Sequence, residues 1–447
     1  MSCATLTVPL DHDAEEGDDL ELAVIRVRAS DQTDRIGSLV FNPGGPGASG
    51  VDGMPAVAGW LPDELLLRFD LVSFDPRGVG RSGQIECEDP QMTVENQPSP
   101  DLSTDSGWAA AGATLEAEGA ACEQSLGEAL GLYSTDAMTR DLDLLREALG
   151  DEALNYVGWS YGARLGAHYA RLFPDRVRAL ALDGPPAATA TRFEVVESQI
   201  AGFEQALSTY AADCPTRPTC QPLGDVRVLF ERILQLSANN PIPSGRPVDD
   251  PPATRDVVIR ATLGFLASPE LWPFLDAALD EADQGDSGSL YDMIDSLEGR
   301  TADRPSADTD DAATVILCND SAPNALSEQN RADAAQLSSR YTAFGAYGAF
   351  WLLSCSSWPG AHGPLPTTPI ETNSPVLVIA TESDPSTPAS GASDFVETLG
   401  SQGVLVTWSG EGHTAFGRSS CVAALVTRYL VELATPGTGS VCSDVEA

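Results

Sequence analysis

Gly158-Trp159-Ser160-Tyr161-Gly162 is the single G-x-S-x-G in a chain of 447 residues. A five-residue pattern with two free positions recurs by chance, so its surroundings carry the weight. Leu154–Val157 before it is strand-like, and residues from about 161 to 172 read as an amphipathic helix. This context predicts a tight strand-to-helix turn with Ser160 at its apex, the two glycines permitting close backbone approach. The start of the helix would supply backbone N–H groups beside the hydroxyl.

A serine hydroxyl needs a general base, and only four histidines are available. His12 lies in an early acidic loop, His168 sits inside the helix that follows Ser160, and His362 precedes the last strand region. His413 lies in the Gly-flanked loop Gly410-Glu411-Gly412-His413-Thr414, after the strand-like run Val404–Trp408. It is the expected base. The acid is expected just after Val376–Ala380, where Glu382 and Asp384 are both present. Asp384 begins Asp384-Pro385-Ser386-Thr387-Pro388, a turn suited to aiming a carboxylate at a neighbouring loop, and it is preferred. Ser160, Asp384 and His413 then follow the chain order Ser, acid, His, one of the orders in which this triad occurs. Two N–H donors for an oxyanion are expected from Gly45, in Asn42-Pro43-Gly44-Gly45-Pro46-Gly47, and from Tyr161. The Gly-rich run lacks the G-K-[ST] ending of a phosphate loop.

These residues need a scaffold. Residues 1–185 alternate strand-like and helix-like segments: Thr5–Leu10, Glu21–Val27, Ser38–Phe41, Leu71–Phe74, Leu154–Val157 and Arg178–Leu182 as strands, 135–149 as a helix with Gly150 as its cap. Residues 186–365 read as helices with Pro-rich joints such as Pro241–Pro252, and they include a stretch, Asp276–Asp311, with 12 acidic residues against two Arg. From 366 to 447 the strand pattern returns with Pro375–Ala380 and Val404–Trp408, then an amphipathic helix near 421–434. The expected fold is α/β, a mostly parallel sheet covered by helices, split by a helical insertion over 186–365.

Composition narrows the function. With 25 Lys+Arg, all of them Arg, against 66 Asp+Glu, the formal charge is −41. Such a chain repels phosphate backbones and anionic lipid surfaces, so nucleic acid is not an expected partner. No apolar run reaches the roughly 18–20 residues of a membrane-spanning helix. The nine cysteines form no C-x-x-C and no zinc spacing. Pairing neighbours along the chain gives 87–122, 214–220, 318–355 and 421–442 and leaves Cys3 over, although eight cysteines allow 105 pairings. Disulfides would place the protein in an oxidising compartment; the bland alternative is small buried hydrophobes. No export signal is visible, so either the chain begins after one or the protein is cytoplasmic.

The combination of Asn42-Pro43-Gly44-Gly45-Pro46-Gly47, Phe74-Asp75-Pro76-Arg77-Gly78-Val79-Gly80-Arg81-Ser82, Gly158–Gly162 and Asp384–Pro388 resembles the actinobacterial tripeptidyl aminopeptidases. These exported serine peptidases form a branch of the α/β-hydrolases related to proline iminopeptidases. Leu172–Val177, Leu182-Asp183-Gly184-Pro185 and Cys318-Asn319-Asp320 are also similar, so the resemblance covers nearly the whole chain. It implies Ser160 as nucleophile, Asp384 as acid, His413 as base, a cap formed by the insertion, export and disulfides. Proline iminopeptidases carry His where this chain has Pro43, which sets it with the tripeptidyl group.

The expected activity is therefore release of tripeptides from peptides with a free N-terminus, through an acyl-enzyme, with no metal or organic cofactor. A carboxylesterase or lipase-like hydrolase uses the same triad, and an inactive binding protein could use the same fold. A free α-amino group calls for a carboxylate partner. Glu197 and Glu204 flank the apolar stripe Phe193, Val196, Ile200, Phe203 and Leu207 of the first insertion helix, whereas Glu194 points away. Those two and Asp320 are the candidates. Oligomeric state leaves no mark in the sequence.

Overall fold

The computed structural model of the chain describes residues 1–87, 98–248, 250–300, 310–322, 325–360, 363–437 and 439–444. The first part comprises β1 (Ser2–Pro9), β2 (Asp19–Val27), β3 (Gly37–Asn42), α1 (Gly50–Trp60), α2 (Asp63–Arg68), β4 (Phe69–Phe74), α3 (Asp105–Leu126), α4 (Thr135–Ala148), β5 (Leu154–Trp159), α5 (Tyr161–Leu172) and β6 (Val177–Asp183). Eight helices follow: α6 (Arg192–Asp213), α7 (Val226–Asn239), α8 (Arg255–Leu266), α9 (Trp272–Asp283), α10 (Gly288–Glu298), α11 (Asp310–Asn319), α12 (Glu328–Arg340) and α13 (Gly345–Leu352). The chain ends with β7 (Val376–Ser383), α14 (Ala389–Leu399), β8 (Gly403–Glu411), α15 (Ser420–Glu432) and β9 (Ser440–Cys442).

All nine strands form one sheet, ordered β1-β2-β4-β3-β5-β6-β7-β8-β9. β1 and β2 pair antiparallel with each other, β2 antiparallel with β4, and every later pairing is parallel. Parallel strands are covered on both faces, so their residues are apolar without alternation. β3 and β4 are buried at every position. Val40, Val72, Tyr156 and Val378 face α4 and α5, where Met138, Leu142 and Leu165 meet them. Leu39, Phe41, Val157 and Ile379 face the other way, onto Met54 of α1 and Val426 of α15. The helices between β6 and β7 have an apolar core of their own, built around Ile200, Phe230, Ile259 and Leu279.

The expected strands and helices appear where the sequence places them, with small boundary changes. Ser134 caps α4 by accepting from Ala137 N, and Gly150 just beyond its end has φ 78°. The sequence reading does not single out α1, α2, α3, α14 or β9. β9 is a three-residue edge strand tied to α15 by the Cys421–Cys442 disulfide. α3 is 22 residues long but buries only Ala111, Leu115, Gly119 and Cys122, a stripe of mostly small residues with little hydrophobic contrast in an Ala/Gly-rich sequence. The four neighbour-paired disulfides are all present, and Cys3 is free and exposed on β1. Among the described residues, no helix is long and apolar enough to cross a membrane.

Candidate active site

β5 runs fully buried up to Gly158 and delivers the chain to Ser160, whose φ of 54° and ψ of −120° are unusual for a side-chain-bearing residue. α5 begins at the next residue. The flanking glycines are required by close packing: a Cβ on Gly158 would lie 2.3 Å from Gly162 O, and one on Gly162 would lie 2.7 Å from Asn42 O. Backbone bonds fix the apex, with Ser160 N donating to Asp183 O at 2.8 Å and Ala163 N to Ser160 O at 2.9 Å. Beneath it, Trp159 stacks on Trp60 and meets Phe41 edge-on, while Trp60 meets Phe416 of the His413 loop.

The Gly-rich loop after β3 lies directly against this turn. Gly44 has φ 94°, and a Cβ there would fall 2.4 Å from Trp159 O and 3.2 Å from both Ser160 Cβ and Tyr161 N. Only glycine fits. Gly45 follows with φ 104°, so its peptide and the N–H that opens α5 belong to adjoining segments. The first N–H groups of a helix lack intrahelical acceptors, which leaves the Tyr161 N–H for a ligand oxygen.

Asp384 follows β7 and is 3% exposed. Its carboxylate accepts from Ser386 N, Thr387 N, Thr387 Oγ1 and Thr414 N at 2.8–3.2 Å. It also pairs with His413 Nδ1 at 2.9 Å. With a carboxylate at Nδ1, the imidazole carries its proton there and offers Nε2 as the basic nitrogen. Thr387 Oγ1 lies 3.2 Å from the same Nδ1, so it steadies both partners. Glu382 of β7 is exposed and is not brought to His413 by any recorded bond among the described residues.

Asp183 connects the two halves of the site. Its backbone oxygen holds Ser160 N, and its carboxylate accepts from Ala415 N at 2.9 Å and Phe416 N at 2.7 Å, just beyond His413. Burial pushes its pKa up to about 6 against those N–H bonds. For His413, burial favours the neutral ring, but Asp384 by charge and hydrogen bond, and then Asp183 by charge, hold its pKa above the ordinary 6.5. Sequence reasoning noticed Asp183 and Thr387 only as parts of motifs. The signal for Asp183 was a carboxylate at the carboxyl end of an otherwise apolar strand.

The helical insertion reaches this site. Ala267 O, just after α8, accepts from His413 N at 2.7 Å. Gln199 of α6 donates to Ser386 O at 2.7 Å in the Asp384 loop. The three expected amine carboxylates have other partners. Glu197 pairs with Arg340 at 2.6 Å, Glu204 accepts from Ala343 N at 2.7 Å, and Asp320 accepts from Thr135 N and the Thr135 hydroxyl, which also meets Tyr161 Oη. Of the other histidines, His12 joins Asp141 and Arg77, and His168 joins Asp136. His362 lies outside the described residues.

A carboxylate–imidazole pair and a serine at a strand-to-helix turn, linked through Asp183 and all at the carboxyl ends of parallel strands, are what a serine hydrolase on a doubly covered α/β sheet requires. Residues 37–417 match the alpha/beta hydrolase fold family, and the chain belongs to it. Serine protease Hip1 of Mycobacterium tuberculosis is 34% identical over 98% of this chain and 87% of its own length. Carboxylesterase B of the same organism is 35% identical, over 99% of this chain and 86% of its own length. The tripeptidyl aminopeptidase of Streptomyces coelicolor is 29% identical over 99% of this chain and 83% of its own length. The family resemblance read from the motifs thus holds over nearly the full chain.

Proposed function

We propose that this hydrolase is an exopeptidase that removes short peptides, tripeptides in particular, from the free N-terminus of peptide substrates. The observation that carries the reading is the Asp384–His413 pair at 2.9 Å, whose loop shares Asp183 with Ser160 N. Relatives named serine protease and tripeptidyl aminopeptidase support it.

Ser160 Oγ attacks the scissile carbonyl as its proton passes to His413 Nε2, while Asp384 stabilises the imidazolium that forms. The developing oxyanion takes the N–H groups of Gly45 and Tyr161. His413 then protonates the departing amine, and water cleaves the acyl-enzyme by the same route in reverse. Residues 186–365 act as a cap, tied to the acid loop by Gln199 and to the base by Ala267. Four disulfides fit work outside the cytoplasm, in the medium or at the cell surface.

Mass spectrometry of a peptide digest tests the substrate. Stepwise release of tripeptides is the expected outcome. Turnover of esters with peptides left intact would favour a carboxylesterase, the second reading, which the relative of that name supports. Fluorophosphonate labelling that disappears in Ser160→Ala is expected in either case; no labelling of the native chain would mean a binding protein.

A further inference from the structure

A cavity of about 450 Å³ begins at Gly45 and runs beneath the insertion. This is the size of a small-ligand cleft. Tyr347, Phe350 and Trp351 of α13 form an apolar side, and Cys318 of α11 and Cys87 lie on its wall. Charged side chains of both signs line it. Arg192, at the start of α6, lines it together with Glu118 of α3 and Asp311 of α11.

Arg192 is one of the cations of the lining. Its pKa is pushed down to about 10 by burial and by the charge of Arg164, which sits one helical turn beyond Ser160. Nη2 donates to Trp351 O at 2.7 Å, but Nε is buried with no partner. A guanidinium nitrogen left so in a chain with 66 carboxylates marks an acceptor that arrives with a ligand.

Glu118 is a carboxylate of the same lining. No hydrogen bond or ion pair holds it among the described residues. Asp311, which accepts from Cys87 N at 2.7 Å, is the charge felt most directly by it. Burial first, and then Asp311, push the Glu118 carboxyl up to about 7. An arriving cation would restore its charge.

We infer that Glu118 receives the α-ammonium group of the substrate in this cavity, which Gly45 of the expected oxyanion site also lines. The inference rests on the exopeptidase reading above. Arg192, with its buried Nε, offers a donor to peptide carbonyl oxygens. The Glu118 carboxylate offers an acceptor to an ammonium group. A peptide therefore enters with its acyl carbonyl at Gly45 and its N-terminus turned toward Glu118. This assignment replaces Glu197, Glu204 and Asp320, each of which already has protein partners.

The test compares a tripeptide coumarinamide with its N-acetyl counterpart, using the full chain. Wild type should favour the free amine at least tenfold in kcat/KM. Glu118→Gln should raise KM for the free-amine substrate at least tenfold, keep kcat within twofold and leave the acetylated substrate unchanged. Glu118→Asp should recover part of the loss. Unaltered discrimination in Glu118→Gln would overturn the assignment while the exopeptidase reading stood. Equal turnover of both substrates by wild type would overturn that reading itself.

A second measurement needs no variant. Between pH 6 and 7.5 the wild-type preference for the free amine should rise as Glu118 ionises, since an α-ammonium stays largely charged there. The acetylated substrate cancels the titration of His413. Asp256, Asp310, Asp311, Arg192 and Arg260 also line the cavity, and they face both substrates alike. A flat preference across that window would count against Glu118.

Discussion

At the scale of single residues, the site depends on how Asp183 and Asp384 share control of one imidazole. Asp384 orients Nδ1, and Asp183 adds a buried charge while holding the two N–H groups beyond the ring. Because the His413 pKa is raised, the basic form is lost as pH falls through a value above 6.5. Asp183 gains its own proton near 6, so both groups shape the acid limb of kcat/KM. Asp183→Asn should move that limb lower by roughly 0.5–1 in pH, because one of the charges stabilising the imidazolium is gone. A pH–rate profile of this variant, with no movement or an upward one, would contradict the role. Asp384→Asn removes the acceptor that fixes the tautomer and should lower kcat by roughly 10³–10⁴-fold, with near-native thermal unfolding.

At the scale of elements, the loop carrying His413 rests on the segment that follows α8. Gly412 has φ 98°, and a Cβ on it would lie 2.6 Å from Ala267 O and 2.5 Å from the Arg418 guanidinium. Gly412→Ala would push these apart at a cost of about 1–3 kcal/mol and break the His413 N–Ala267 O bond. The expected result is a kcat at least tenfold lower with intact fluorophosphonate binding stoichiometry after long incubation. An unchanged kcat would show that the contact is incidental. The sequence made the strands and the triad legible because buried parallel strands read as apolar runs and because Ser160, Asp384 and His413 each follow one. It hid α3, whose buried stripe of Ala111, Leu115, Gly119 and Cys122 has little hydrophobic contrast, and with it Glu118. It pointed to Glu197 and Glu204 beside the apolar stripe of α6, and these are engaged by Arg340 and by the chain at Ala343. Helical periodicity tells which side of a helix a carboxylate takes, not which cation or N–H already holds it.

At the scale of the whole molecule, charge and covalent links matter most. A net charge of −41 surrounds a cavity lined by Glu118 and further carboxylates. Peptides with a protonated N-terminus should therefore show kcat/KM that declines as salt rises from low to physiological concentration, and acetylated peptides should not. Matching salt profiles for the two would remove the field from the account. The disulfides differ in the chain they enclose. Cys318–Cys355 spans 37 residues and Cys214–Cys220 only 6. Replacing the first pair by Ala should destabilise the chain by about 1.5 kcal/mol more than replacing the second, from loop closure alone. Denaturant titration of the two double variants checks the ranking.

The bond from Ala267 O to His413 N also sets a rule for recombination. In a chimera that takes its cap from another hydrolase, the graft would bring a foreign support for the general base along with a new specificity. A workable exchange keeps residues 267–269 with the His413 loop and places its splice points on either side of them. Shuffled libraries cut inside that stretch would then be enriched in folded but silent clones.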